Sequence, residues 1–248
     1  MPSSTYKDEE IQQEDLLYTG KAKQLFSTSN PDIYWLHYLD SATALNGKVK
    51  EEYAGKGELN AQITRLLFQA LDQAGITHHL LKTVSPRDQL VERVEIIPLE
   101  VVTRNVAAGH LVSRFGLKGG EVLTPPIREI YYKSDPLDDP FMNDSQAISL
   151  KIASQEELET LYQMADQVND CLKAVFDEIG ITLVDFKLEF GRRSRDGKLI
   201  LADELSPDNM RLVDHTSGQS LDKDVFRQHK GDLRAGYREI LNRLEKLF

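Results

Sequence analysis

Residues 183–190 read Leu-Val-Asp-Phe-Lys-Leu-Glu-Phe, with apolar and charged side chains alternating from Val184 onward. Successive side chains of a β-strand point to opposite faces. Asp185, Lys187 and Glu189 therefore share one face, and Val184, Phe186, Leu188 and Phe190 share the other. The apolar face can pack into a core. The charged face is expensive to bury without partners. Two readings satisfy it. The three charges pair with one another, or they line a nucleotide cleft, with Lys187 on a phosphate and Glu189 on ribose hydroxyls or a metal ion.

The rest of the chain alternates in kind, which favours a mixed α and β architecture. Gln24–Ser27, Ile33–Leu39, Leu80–Val84 and Leu90–Arg93 are strand-like. Gly57–Ala74 is predicted helical from Leu59, Ile63, Leu66, Leu67, Ala70 and Leu71, with Gly75 as a stop. Ile96–Arg104 is a buried strand, followed by a short helix over Val106–Phe115. Residues 118–147 read as loop, with Gly119-Gly120, Pro125-Pro126 and the acidic run Asp135–Asp139. Ser154 with Glu157 three residues on forms a capping box that opens a long helix to Ile179. Ile181–Phe190 and Lys198–Ala202 are strands joined by Arg195-Asp196-Gly197. A last helix is expected over roughly 222–247. The strand-rich N-terminal third and the remainder suggest two lobes dividing near residue 90, with a ligand cleft between them.

Three further segments carry chemistry. In Tyr18-Thr19-Gly20-Lys21-Ala22-Lys23, glycine allows close backbone approach, and Lys21 and Lys23 fall on one strand face. The segment suits a hairpin over phosphates, or simply a solvated face. In Ala202-Asp203-Glu204-Leu205-Ser206-Pro207-Asp208, carboxylates end a strand beside the Lys187 and Glu189 strand. They could hold Mg²⁺ against ATP phosphates, or sit on a surface hairpin. Arg104 ends the Ile96–Arg104 strand at the mouth of a helix, where it makes an anion site or caps a carbonyl.

Composition excludes several classes. The 248 residues carry a net charge of −10, which opposes sequence-independent nucleic-acid binding and docking on anionic membranes. A single cysteine, Cys171, rules out an internal disulfide and a cysteine-based zinc site. It reads as a small apolar residue on a helix face. His78 and His79 read as structural. No P-loop, nucleophile elbow or kinase signature is present. No apolar run approaches a membrane span and no leader precedes the first strand, so cytoplasmic placement is expected.

Taken together and in order, these segments resemble the SAICAR synthetase (phosphoribosylaminoimidazole-succinocarboxamide synthase) family from about Leu16 to the final helix. Ile96–Gly109 (IIPLEVVTRNVAAG) and Leu183–Gly191 (LVDFKLEFG) carry most of the likeness. YTGKAK, DSATALNGK, GELNAQIT, DPLDDPFMND and ADELSPDNMRL add to it. The resemblance implies an α+β, two-lobed fold related to ATP-grasp. Residues 1–90 would form an antiparallel-sheet lobe covering the ATP phosphates, and 91–248 a lobe with the ribotide and metal site. It implies an ATP- and Mg²⁺-dependent ligase of purine biosynthesis that joins L-aspartate to carboxyaminoimidazole ribotide, and a homodimer.

By the same resemblance, Lys21, Ala22 and Lys23 sit over the ATP phosphates. Lys187 and Glu189 line the nucleotide pocket, and Asp203, with Glu189, binds Mg²⁺. Lys21, Lys187 and Asp203 carry catalysis. Arg104 and Arg211 hold the ribotide phosphate, and Asp40, Ser41, Lys48 and Asp139 are further candidates for the ribotide and aspartate side. The family usually reads RN-x-x-AGS here, its serine contacting the ribotide phosphate, whereas this chain has His110. A protonated histidine would add charge there, so ribotide affinity is expected to weaken as His110 deprotonates. A small-molecule kinase and a silent nucleotide-binding module share the same ATP-side residues. They differ from a ligase in not needing aspartate or in turning over nothing.

Overall fold

The computed structural model describes residues 11–44, 49–227 and 231–248. The chain opens with strands β1 (Gln13–Thr19), β2 (Lys23–Thr28) and β3 (Ile33–Tyr38). The small hairpin β4 (Ser41–Ala44) and β5 (Val49–Glu52) follows, then helix α1 (Lys56–Gln73). Strands β6 (Leu80–Ser85) and β7 (Asp88–Glu92) form a second hairpin. Five of these strands make an antiparallel sheet in the order β1-β2-β3-β7-β6.

The second sheet begins with β8 (Val94–Val106). Next come α2 (His110–Phe115), β9 (Val122–Tyr132), β10 (Phe141–Met142), α3 (Asp144–Ser149) and α4 (Gln155–Glu178). The chain then forms β11 (Ile181–Arg193), β12 (Leu199–Ala202), β13 (Met210–Asp214), α5 (Asp224–Arg227) and α6 (Leu233–Leu247). The sheet order is β10-β9-β8-β11-β12. On its far edge β11 is shared, pairing with β13 through residues 181–186 and with β12 through 189–192. The alternation of β11 holds from Phe186 onward, while at the irregularity between Leu183 and Asp185 it is Leu183, not Val184, that joins the main core. Phe186, Leu188 and Phe190 enter the main core, while Lys187 and Glu189 face a cleft.

Three helices bury the core side of this sheet. α4 packs on β11 and β8, and α1 packs on α6 and α4. Ile63, Leu67 and Leu71 of α1 meet a core that includes Leu161, Val168 and Leu172 of α4 and Tyr237, Ile240 and Leu244 of α6. Each fully buried side chain of this size contributes roughly 1.5–3 kcal/mol. α1 thus precedes residue 90 in sequence, yet packs with helices that follow it. The α4 start matches its capping box, with Ser154 and Glu157 bonding each other's backbone N–H.

Three expectations need correction. Residues 122–132 form a strand, not a loop. Pro125 and Pro126 fall in the register shift between the Arg104–Ile127 and Val106–Val122 pairs, where no ladder bond is required of them. Met210–Asp214, for which the sequence suggested no element, is a strand as well. The helix after β8 starts only at His110, because Val106 still belongs to the ladder. The last helix begins at Leu233, capped by Asp232, whose carboxylate accepts from the Arg234 N–H at 2.9 Å.

The two sheets are joined at residues 77–79. The Leu201 N–H donates to the Thr77 carbonyl, and the His79 N–H donates to the Leu201 carbonyl at 2.9 Å. A cleft lies between the first sheet and one face of β8 and β11. Among the described residues no helix is long and apolar enough to cross a membrane.

Candidate active site

The cleft encloses about 550 Å³ and is lined by both sheets. From the first come Gly20 to Leu25, Tyr34, Leu36 and Val91. From the second come Glu100, Val102 and Arg104 of β8, Asp185 to Lys187 and Glu189 of β11, and residues 202–204 and 208–211. Its Lys and Arg side chains nearly balance its Asp and Glu side chains, although the whole chain is strongly acidic.

Lys23 begins β2 and reaches across to the end of β12. Its Nζ pairs with the Asp203 carboxylate, lies 2.9 Å from Glu204 Oε1, and sits 5.7 Å above the Tyr38 ring. Burial would lower this ammonium, but Asp203 and Glu204 outweigh it and raise it well above the ordinary lysine value. The converse holds at Asp203. Burial would raise its carboxyl, but Lys23 and then Lys133 hold it well below the usual carboxylate range. Both groups are therefore ionised in the cleft. Asp203 has φ of 60°, a left-handed backbone that few residues adopt and Asp tolerates better than most.

Lys187 Nζ lies 2.5 Å from Glu100 Oε1 and 3.7 Å from Glu189 Oε1, and Glu189 also pairs with Lys133. Burial would lower Lys187, but Glu189 and Glu100 raise it instead. Burial lifts Glu100 above the ordinary value, with Lys187 opposing. These lysines and carboxylates thus form a lattice of alternating charge.

The other end of the cleft is built on arginines. Asp185 Oδ2 accepts from Arg104 Nη1 at 2.8 Å and from Arg211 Nη1 at 2.7 Å. Glu129 takes Arg104 Nε at 2.6 Å, and Asp224 takes Arg211 Nε at 2.9 Å. Two guanidinium groups are held side by side by carboxylates. Arg104 lies inside β8, and its guanidinium pairs with the Glu129 and Asp185 carboxylates instead of capping a neighbouring carbonyl. Gly109 explains a further part of the RNVAAG run. A Cβ there would fall 2.9 Å from Arg211 Nη2, and its φ is +55°. Only glycine lets that backbone lie against the arginine.

Other candidates are placed differently. Lys21 is exposed and bonds Asp135 at 2.7 Å across the cleft mouth, so it does not share the buried setting of Lys23. Ser41 Oγ donates to the Lys21 carbonyl at 2.6 Å and Asp40 accepts from the Gly57 N–H at 2.9 Å. Both lie behind the cleft lining. Asp139 lines the cleft and accepts from the Ser134 N–H at 2.8 Å. His110 is exposed at the start of α2, outside the lining. Lys48 lies outside the described residues.

Sequence reasoning missed Glu100, Lys133 and the buried group around Asp208. Glu100, Val102 and Arg104 share one face of β8 by the period-two rule that exposed Lys187 and Glu189 on β11, and that signal was available for Glu100. Asp208 was visible only as a turn residue. It lies 2.5 Å from the fully buried Lys56 Nζ and accepts from the Tyr237 hydroxyl at 2.6 Å.

A hard cation fits this donor set. Among the described residues no three His, Cys, Asp or Glu side chains form a metal cage. Mg²⁺ needs none, since it is commonly bound by one or two carboxylates together with phosphate oxygens. Asp203 and Glu189 supply such oxygens, and Asp203 is held ionised.

The architecture is the SAICAR-synthase-like one. It matches the crystal structure of phosphoribosylaminoimidazole-succinocarboxamide synthase from Ehrlichia chaffeensis with a TM-score of 0.91 and 40% identity, covering 93% of this chain and 98% of that one. A SAICAR synthetase in complex with ADP gives a TM-score of 0.88 and 44% identity, covering 92% and 96%. The sequence is 55% identical over 231 residues to the phosphoribosylaminoimidazole-succinocarboxamide synthase of Oenococcus oeni, covering 93% of this chain and 95% of that protein. It is 56% identical to the Latilactobacillus sakei enzyme of that name, covering 94% and 96%. The SAICAR synthetase family model matches residues 16–244, and the chain belongs to that family.

Proposed function

We propose that the protein is an ATP- and Mg²⁺-dependent ligase that condenses L-aspartate with carboxyaminoimidazole ribotide, yielding SAICAR, ADP and phosphate in purine biosynthesis. One observation carries this reading. A single cleft has a lysine–carboxylate lattice at one end and paired arginines at the other, so it suits a triphosphate and a phosphorylated second substrate together.

The chemistry follows from the substrates. A carboxylate is a poor electrophile. Attack of a ribotide carboxylate oxygen on the γ-phosphorus breaks the bond to ADP and leaves an acyl phosphate. The aspartate amine then attacks the acyl carbon, phosphate departs, and the amine gives up a proton as the amide forms. The protein's part is alignment and charge neutralisation, with no covalent nucleophile on the chain. Lys23 and Lys187, both half-buried and cationic, exchange their carboxylate partners for phosphate oxygens. Lys21 and Ala22 close the loop over them. Asp203 and Glu189 would hold Mg²⁺, which offsets the charge of the β- and γ-phosphates. Arg104 and Arg211 fix the ribotide phosphate, and Asp139, which lines the cleft, joins the proposed substrate side; Asp40, Ser41 and His110 lie outside the lining and would act there only from behind it or from its rim, and Lys48 lies outside the described residues.

The proposal extends to a cytoplasmic homodimer, for which exposed Leu16, Leu17, Phe115 and Val122 supply apolar surface. Sedimentation would show the dimer.

The direct test is ADP release with Mg-ATP and the ribotide, with and without L-aspartate. Release that requires all three, with SAICAR formed, supports the ligase. Release with the ribotide alone points to a kinase, and binding without turnover to a silent module. Asp203→Asn should lower kcat by about 100-fold or more with the fold intact. An unchanged kcat removes Asp203 from the metal role.

A further inference from the structure

His79 lies just before β6 at the junction of the two sheets and is almost fully buried. Its backbone serves both sides. The N–H donates to the Leu201 carbonyl at 2.9 Å, and its carbonyl accepts from the Glu92 N–H at 2.7 Å. Its ring Nε2 lies 2.8 Å from the Asp203 carbonyl oxygen. A carbonyl only accepts, so Nε2 carries the proton and donates. The ring is held from behind. Phe68 meets it edge-on at 5.8 Å between centroids, and His78 stacks on Phe68 at 4.4 Å.

The bond falls on one of the two cleft-lining residues other than glycine that have a left-handed backbone, the other being Asp139. Asp203 has φ of 60°, and the peptide that follows leads directly into Glu204. That conformation aims the Asp203 and Glu204 carboxylates at Lys23. A left-handed non-glycine residue persists only where its surroundings determine it. Downstream, Glu204 is tied by the Ser206 hydroxyl at 2.6 Å and by the Asn209 amide. On the Asp203 carbonyl, the His79 imidazole is the tie. Losing it would orphan a carbonyl and let the peptide turn, carrying the Asp203 carboxylate off its aim.

We infer that His79 is a positioning residue, whose Nε2–H holds the Asp203 peptide so that the Asp203 carboxylate points into the cleft to receive the metal–nucleotide. This rests on the proposed metal role of Asp203. The same bond makes the sheet junction part of the site, since the residue that joins the two sheets also sets the carboxylate.

The test compares wild type, His79→Gln, His79→Asn and Asp203→Asn by calorimetric titration with ADP, with and without Mg²⁺. A glutamine amide can place a donor where Nε2 lies, while asparagine falls one methylene short. The Mg²⁺-dependent tightening of ADP should fall about tenfold in His79→Asn, as is usual when the residue orienting a metal ligand is lost. It should be retained in His79→Gln, and ADP affinity without Mg²⁺ should stay within about twofold in both. A residue that only supports the fold would lower melting temperatures without splitting the two affinities. If His79→Asn fails to fold, His79→Met fills the site without a donor and takes its place. Equal tightening in His79→Asn and wild type, with loss in Asp203→Asn, overturns the inference alone. So does a His79→Gln variant as impaired as His79→Asn. Tightening retained in Asp203→Asn overturns the metal assignment and the inference with it.

Discussion

Replacing Asp208 by asparagine should destabilise the protein severely, because it strands the Lys56 ammonium. Lys56 is 0% exposed and its Nζ lies 2.5 Å from Asp208 Oδ2, with Tyr237 bonding the other oxygen at 2.6 Å. At an effective dielectric of about 20, two unit charges at this separation attract by roughly 6–7 kcal/mol before desolvation is counted. Desolvation cancels much of that for the intact pair, so the pair itself contributes little. Removing one partner leaves the desolvation of the other uncompensated, at about 3–5 kcal/mol. In a chain of this size each kcal/mol shifts Tm by roughly 2–4 °C, so Asp208→Asn should lower Tm by about 6–20 °C. The double variant Lys56→Met/Asp208→Asn removes both charges and should recover at least half of the loss. The assay is a double-mutant cycle on thermal and urea unfolding, with far-UV circular dichroism to confirm a native fold. A shift under about 2 °C in Asp208→Asn would refute the reasoning, as would additive losses in the double variant.

Asp185→Asn should raise the KM for the ribotide about tenfold with a smaller change in kcat, because one carboxylate oxygen holds both Arg104 and Arg211; steady-state kinetics at saturating ATP and aspartate would show it, and an unchanged KM would refute it. Burial lifts the Asp222 carboxyl to about 6, above its unfolded value of about 4. The native state therefore keeps a proton that the unfolded chain releases, and stability from this residue is full below about pH 4 and declines by up to roughly 3 kcal/mol as pH rises through 6. Urea unfolding between pH 4 and 6.5 should show a shallower decline in Asp222→Asn than in wild type, and equal slopes would count against the assignment.

What could be read in the sequence was local. β11 announces itself because a period of two separates its charges from its apolar residues, and α4 because Ser154 and Glu157 mark its start. The Lys187 and Glu189 face needed no tertiary knowledge. Its partners did, since Glu100 and Lys133 come from strands and loops far away in the chain. β9 escaped notice because prolines ordinarily demote a strand, and only the register shift opposite Asn105 shows why two are tolerated. Lys21 and Lys23 look equivalent in the sequence. The structure separates them, because β2 begins at Lys23 and leaves Lys21 in the loop outside. His79 carried no motif at all. Its significance lies in the Asp203 backbone, and backbone conformation at a strand end is decided by whatever the fold brings alongside.

The partnership of α1 with α6 bears on the order in which the polypeptide is made. Synthesis proceeds from the N-terminus at about 5–20 residues per second, and segments that can fold alone do so as they emerge. α1 cannot. Its buried residues, among them Ile63, Leu66, Leu67 and Leu71, rest against α4 and α6, and α6 begins only at Leu233. A nascent chain that has made the whole first sheet and most of the second already has α4, but still presents to water the part of that stripe that α6 covers. It is a natural place for a chaperone to hold on until the final helix arrives.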